Sequence, residues 1–260
     1  MHTIVKGKGQ PLIIVPGWTG DSAFMAYCYE PMLKDSGFQR IYLDPPGHGG
    51  TTGYHNLENI DQYFQIMLEK IKKLTGGEPF AAMGFSMGAF MVRCLSMELQ
   101  QQSMGFAMLA PVITLPYEQR ILPELITLKD ELQQETLSPL ESMYMETPMR
   151  TRSLLQFLRA APSPTFNEAN IRLLDKLFLP ENYRVSFDPD KDAEQYTRPV
   201  LCIAGKQDHV VGYQQAGQLC NRYPRATFAA LDRAGHWLEE KKPIITALIQ
   251  EWLTAIKDEL

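Results

Sequence analysis

The stretch Pro79-Phe80-Ala81-Ala82-Met83-Gly84-Phe85-Ser86-Met87-Gly88-Ala89-Phe90-Met91-Val92 decides how this chain is read. Pro79 to Met83 form an apolar run of strand length, and Ala89 to Leu95 continue as a helical stretch. Between them stands Gly84-Phe85-Ser86-Met87-Gly88, which matches G-x-S-x-G. In that setting the pentapeptide predicts a sharp strand-to-helix turn, with a serine hydroxyl held exposed above a sheet. Each glycine has a steric reason to be there, because a side chain at either flank would collide with the neighbouring strand or helix. The motif arises by composition in roughly one chain in ten of this length, so it needs support from elsewhere.

Outward from this turn, short runs rich in Ile, Val and Leu alternate with longer helical patterns, the signature of a mostly parallel sheet. Strands are predicted at Leu12–Val15, Arg40–Asp44, Phe106–Ala110, Val200–Ala204 and Thr227–Leu231, besides the one that leads into Gly84. A helix from about Ser22 to Ser36 is closed by Gly37, with Pro31 expected to kink or shorten it. Ile60, Phe64, Met67, Leu68, Ile71 and Leu74 mark one apolar helix face that ends at Gly76-Gly77.

The connection from about Val112 to Thr197 far exceeds the dozen or so residues that a parallel crossover needs. Its surplus is helical in pattern. Leu154, Leu155 and Leu158 share a face, and Thr165-Phe166-Asn167-Glu168 reads as a capping box before Ile171, Leu174, Leu177 and Phe178. The expected organisation is a core of residues 1–111 and 198–260 with a helical cap inserted at 112–197. Such a cap would lie over the carboxyl ends of the strands, where α/β sheets bind ligands.

A serine hydroxyl is a poor nucleophile at neutral pH; it needs a base, and the base needs an orienter. Asp208 follows the Val200–Ala204 strand directly, and His236, in Asp232-Arg233-Ala234-Gly235-His236-Trp237, follows the last strand. Both fall at carboxyl ends, so convergence on Ser86 is expected. In that arrangement Ser86 attacks, His236 takes and returns the proton, and Asp208 fixes the imidazole tautomer. The oxyanion calls for preorganised donors. The backbone N–H groups of Met87 and Trp18 are the candidates, with Gly17 permitting the turn in Pro16-Gly17-Trp18-Thr19-Gly20. Gly17, Phe85 and Trp237 are candidates for the substrate pocket.

The remaining features exclude more than they assign. A net charge of -5 and the lack of any long Lys/Arg run speak against a nucleic-acid surface. The N-terminus lacks a signal-peptide pattern and no stretch reaches membrane-span length, so a cytoplasmic chain without membrane contact is expected. The scattered Cys28, Cys94, Cys202 and Cys220 read as buried reduced thiols. Asp188, Asp190 and Asp192 lack the glycine and glutamate of a calcium loop and read as a solvated turn. Gly205-Lys206 is no phosphate loop, and neither a metal nor another cofactor is indicated. Lys257-Asp258-Glu259-Leu260 matches a retention signal but reads as the continuation of an amphipathic helix. Arg40 reads as a surface charge, and His2 and His55 as solvated.

Taken together, Pro16-Gly17-Trp18, Asp44-Pro45-Pro46-Gly47-His48-Gly49, the Gly84–Gly88 turn, Asp208 and Gly235-His236 resemble the α/β-hydrolase superfamily, specifically its small cap-bearing serine hydrolases. The likeness covers nearly the whole chain. It implies an α/β-hydrolase fold, a mostly parallel sheet flanked by helices with an inserted helical cap. It also implies a cofactor-independent serine hydrolase that forms an acyl-enzyme on a small, mainly apolar ester, in the manner of carboxylesterases. Pro16-Gly17 stands where the family commonly has His-Gly, and Ala89 where a third glycine is frequent. Ser86-Met87-Gly88 and Trp237 also resemble the carbon–carbon hydrolases of aromatic degradation, although those usually carry asparagine where this chain has Phe85. A proline-iminopeptidase-like aminopeptidase would need carboxylates for a substrate amine, and Glu141, Glu146 or other carboxylates of the cap could supply them. From a different class, a non-catalytic ligand-binding protein on the same fold is the rival. The expected partner is a small-molecule substrate; oligomeric state is not readable.

Overall fold

The apolar runs pair into one twisted sheet, and the computed structural model describes residues 1–163 and 168–260 of the chain. In chain order the elements are β1 (Thr3–Lys6), β2 (Pro11–Val15), α1 (Ser22–Leu33), β3 (Gln39–Leu43), α2 (Ile60–Thr75), β4 (Phe80–Phe85), α3 (Met87–Glu98) and β5 (Ser103–Leu109). The long connection carries β6 (Lys129–Asp130), α4 (Pro139–Tyr144), β7 (Met149–Arg150), α5 (Arg152–Ala160) and α6 (Glu168–Leu177). It is followed by β8 (Val200–Gly205), α7 (Gln214–Cys220), β9 (Ala226–Leu231) and α8 (Lys242–Lys257).

The main sheet runs β1-β3-β2-β4-β5-β8-β9. Only β1 is antiparallel to its neighbour. Strands β4, β5 and β8 are buried on both faces, which is why they read as unbroken apolar runs. Alternate residues divide between two cores. Ile13, Ala82, Phe106 and Cys202 pack with α2, α3 and α7, while Ile14, Met83, Ala107 and Ile203 pack with α1 and α8. Helix α2 begins where the Asn59 side chain accepts from the Gln62 N–H and closes on Gly76 at φ 60°.

Several expectations are corrected. Helix α1 ends at Leu33, not Ser36, because the chain tightens into a turn with the Ser36 N–H donating to the Leu33 carbonyl. Arg40 is no surface charge. It is buried, with Nη2 2.6 Å from Glu30 Oε1 and Nη1 donating to the Phe38 carbonyl. Asp190 is not a solvated turn residue either; it lies 3.3 Å from Nε of the fully buried Arg93 and accepts from the Tyr223 hydroxyl. His2 Nδ1 sits 2.8 Å from Asp44 Oδ2 instead of being free in solvent. Helix α8 stops at Lys257, so Asp258-Glu259-Leu260 lie past its end.

The segment between β5 and β8 is more irregular than its helical pattern predicts and includes the short parallel pair β6–β7. Of the capping box before α6, Thr165-Phe166-Asn167 lie outside the described residues. All four cysteines are buried and free of disulfides. Among the described residues, no helix is long and apolar enough to cross a membrane.

Candidate active site

Ser86 occupies the corner between β4 and α3 at φ 54° and ψ -117°, a conformation that side chains other than glycine rarely adopt. Its neighbours make that corner possible. A Cβ on Gly84 would overlap the Gly88 carbonyl, and one on Gly88 would overlap the carbonyls of Val15 and Pro16. The Ser86 N–H donates to the Leu109 carbonyl, and its own carbonyl accepts from Val112 N–H. The end of β5 and the loop that follows it thus hold the serine backbone through both its N–H and its carbonyl.

Asp208 stands in the loop after β8 with its carboxylate fully specified. Oδ1 accepts from the N–H groups of Val210 and Val211, both at 2.9 Å. Oδ2 lies 2.9 Å from His236 Nδ1, and Nε2 of the same ring lies 3.1 Å from Ser86 Oγ. An ionised carboxylate only accepts, so the imidazole proton belongs on Nδ1 and leaves Nε2 open to receive the serine proton. All three side chains are shielded from water, with Ser86 8%, Asp208 0% and His236 6% exposed.

The loop from Pro16 to Gly20 presses on the serine. A Cβ on Gly17 would sit 3.1 Å from Ser86 Cβ and closer still to the Phe85 ring. The Gly20 N–H closes the turn on the Gly17 carbonyl. The Met87 N–H opens the first turn of α3, where helical donors have no intrahelical partner. Among the described residues, neither it nor the Trp18 N–H is taken by a backbone carbonyl outside the helices and strands.

Aromatic rings flank the site on two sides. Trp18 packs against Tyr63, Phe178, Tyr183 and the edge of His48, and the Tyr183 hydroxyl approaches Met87 Sδ at 3.3 Å. His48 is buried, which depresses its pKa to about 4, and it donates from Nδ1 to the Pro46 carbonyl as a neutral ring. On the other side Trp237 stacks between Phe85, at 5.2 Å, and Tyr144, at 4.0 Å. Gly17, Phe85 and Trp237 therefore all line the surroundings of Ser86. Among the described residues, no group of three His, Cys, Asp or Glu side chains is arranged to hold a metal ion.

The sequence model of the alpha/beta hydrolase fold matches residues 10–243. The chain belongs to this family. Among solved structures, an alpha/beta superfamily hydrolase from Oenococcus oeni PSU-1 is 23% identical with a TM-score of 0.84, covering 98% of this chain and 96% of that one. A thermophilic esterase from Thermogutta terrifontis is 15% identical with a TM-score of 0.68, covering 98% and 93%. A monoacylglycerol lipase from Paleococcus ferrophilus is 17% identical with a TM-score of 0.63, covering 98% of each chain. At these identities the likeness is one of fold. No curated protein matches the chain by sequence.

In this alpha/beta hydrolase, three site features escape a reading of the sequence. Gln207 ties the two polar loops together: its N–H donates to the Ala234 carbonyl, its Oε1 accepts from the Ala234 N–H, and its Nε2 donates to Asp232. Its place directly before Asp208 is the one signal that could have found it. Tyr144 closes the Trp237 side, although it comes from α4 in the long connection. Thr147 and Pro148, from the same segment, pack against Gly235 so closely that a Cβ there would lie 2.9 Å from Pro148 Cδ. No periodicity or motif marks any of them.

Proposed function

We propose that this alpha/beta hydrolase is a serine hydrolase that cleaves small, mainly apolar carboxylic esters through an acyl-enzyme. The observation that carries the reading is the His236 ring, placed between Ser86 Oγ and Asp208 Oδ2 at hydrogen-bond distance from both. In this mechanism Ser86 Oγ attacks the ester carbonyl while Nε2 takes its proton. The imidazolium is stabilised by Asp208, whose orientation the Val210 and Val211 amides hold. Met87 and Trp18 N–H groups receive the oxyanion, each donor contributing about 3 kcal/mol to the barrier reduction. Nε2 returns its proton to the departing alkoxide, and a water repeats the sequence on the acyl-enzyme.

An ester is preferred over an amide with a free amine on one further ground. Glu141 accepts from Arg159 Nε at 2.7 Å and from the Ser138 N–H, and these bonds hold it near pKa 2. Glu146 lies 3.3 Å from His209 Nε2. These two carboxylates of the cap are already engaged by the protein. Aromatic walls suit an apolar acyl group, and the folds of an esterase and a monoacylglycerol lipase are among those it resembles. Residues 112–197, which supply Tyr144, Phe178 and Tyr183, act in this reading as the cap that encloses the acyl group.

The test is hydrolysis of p-nitrophenyl acetate and butyrate by the wild type and by Ser86→Ala. The reading expects saturable turnover that Ser86→Ala abolishes. Equal rates for the two proteins would overturn it.

A further inference from the structure

A cavity of about 210 Å³ lies behind the loop that carries His236, between α1, α5 and the start of α8. It contains neither Ser86, Asp208 nor His236. Met32, Leu154, Phe157 and Ile245 give it apolar walls. An apolar cavity of about 150 Å³ already accepts a benzene ring, so this one has room for a ring with a short tail.

Glu239 interrupts the apolar lining. Its Oε2 is sealed from solvent and, among the described residues, accepts no hydrogen bond. Glu240, beside it, accepts from the Thr151 hydroxyl at 2.6 Å, and Lys242 shares the wall without reaching Oε2. The groups facing Glu239 from α1 are the Cys28 thiol and the Tyr29 phenol, both pushed up by burial and therefore uncharged. From its own loop come Glu240 and the His236 ring, while α5 contributes the uncharged Ser153. Desolvation lifts the Glu239 carboxyl to about 7. A carboxylate cut off from water, with only the weak Cys28 thiol donor facing it, is compensated either by a proton or by a cation. The surrounding hydrocarbon favours a cation that brings an apolar body with it.

We propose that this cavity binds a small primary ammonium compound with an aromatic or short alkyl body, its ammonium donating to the Glu239 carboxylate and its body lying against Leu154, Phe157 and Ile245. The site is independent of any hydrolytic role for Ser86, because occupancy is read directly and not through turnover.

Calorimetric titration of the full chain with 2-phenylethylammonium, 2-phenylethanol and 3-phenylpropionate tests it. The ammonium is expected to saturate one site, the alcohol to bind at least about tenfold more weakly, and the carboxylate not to bind. Between pH 6 and pH 8 the ammonium affinity should rise about tenfold, because a carboxyl that titrates near 7 goes from mostly protonated to mostly ionised while the amine stays charged. Glu239→Gln should weaken the ammonium at least about tenfold and remove that pH dependence. Leu154→Trp should fill the cavity and abolish binding with Glu239 intact. Equal affinity for ammonium and alcohol, a flat pH dependence in the wild type, or undiminished binding by a folded Glu239→Gln would each overturn the assignment. The ligand panel and the pH series need no variant to fold.

Discussion

At the carboxyl ends of β4, β8 and β9 the polar side chains are held by backbone: Asp208 Oδ1 takes two amides, and Ser86 is pinned through Leu109 and Val112. In the connection from 112 to 197 side-chain pairs add to one short backbone pairing, β6 with β7. Arg150 pairs with Asp130, Arg159 with Glu141, and the Thr151 hydroxyl reaches Glu240 in the neighbouring core. Backbone contacts set geometry with little freedom to adjust, whereas exposed side-chain pairs contribute little energy and give way to other arrangements. The contrast teaches a division of labour. In the proposed mechanism the loops fix the reacting geometry for any substrate, and the connecting segment shapes the space around it.

The largest effects should therefore come from the loops and be blind to substrate. Asp208→Asn is expected to lower kcat about 10⁴-fold on every ester tested, because the amide presents a donor to Nδ1 and favours the wrong tautomer. Steady-state kinetics on acetate and butyrate esters check it; a loss confined to one ester would break the comparison. Next comes the tie between the two regions, Arg93 of α3 with Asp190 near the end of the long connection. Arg93→Met leaves a shielded aspartate without its cation and should destabilise the chain by about 3 kcal/mol, read by urea unfolding.

A smaller effect is expected at the seam lined by α1, α5 and α8. Burial raises the Glu239 carboxyl to about 7, so the folded chain keeps a proton that the unfolded chain has released between about pH 4.5 and 7. This group's contribution to stability therefore falls as pH rises through that window, by between about 2 and 3 kcal/mol. Unfolding at pH 5 and pH 8 should show Glu239→Gln gaining on the wild type at the higher pH. The smallest effect should come from the connecting segment alone. Tyr144→Ala opens the wall over Trp237 and should raise the preference for butyrate over acetate about tenfold, with little change in the rate on acetate.

The same contrast explains what the sequence discloses. Strands β4, β5 and β8 are legible because a strand buried on both faces must be apolar throughout. Ser86 and Asp208 are legible because each stands just past such a run, and His236 because it follows the last strand, β9, directly after Gly235. Strand β1 is not, since an edge strand of four partly exposed residues ending in Val5 and Lys6 needs no apolar pattern. Arg40 misleads for a related reason. Its partner Glu30 sits on a different element, and nothing local in the sequence announces a charge pair across that distance. Tyr144 and Gln207 act through contacts that only the folded chain creates.

The central claim is that Ser86 is a nucleophile activated by His236 and Asp208. Intact-protein mass measurement after incubation with a fluorophosphonate tests it most directly, followed by peptide mapping. The account predicts one adduct per chain, located on Ser86, formed by the wild type and by Tyr144→Ala but lost in Ser86→Ala and strongly slowed in Asp208→Asn. An unlabelled wild type, or an adduct on another residue that persists in Ser86→Ala, would contradict it.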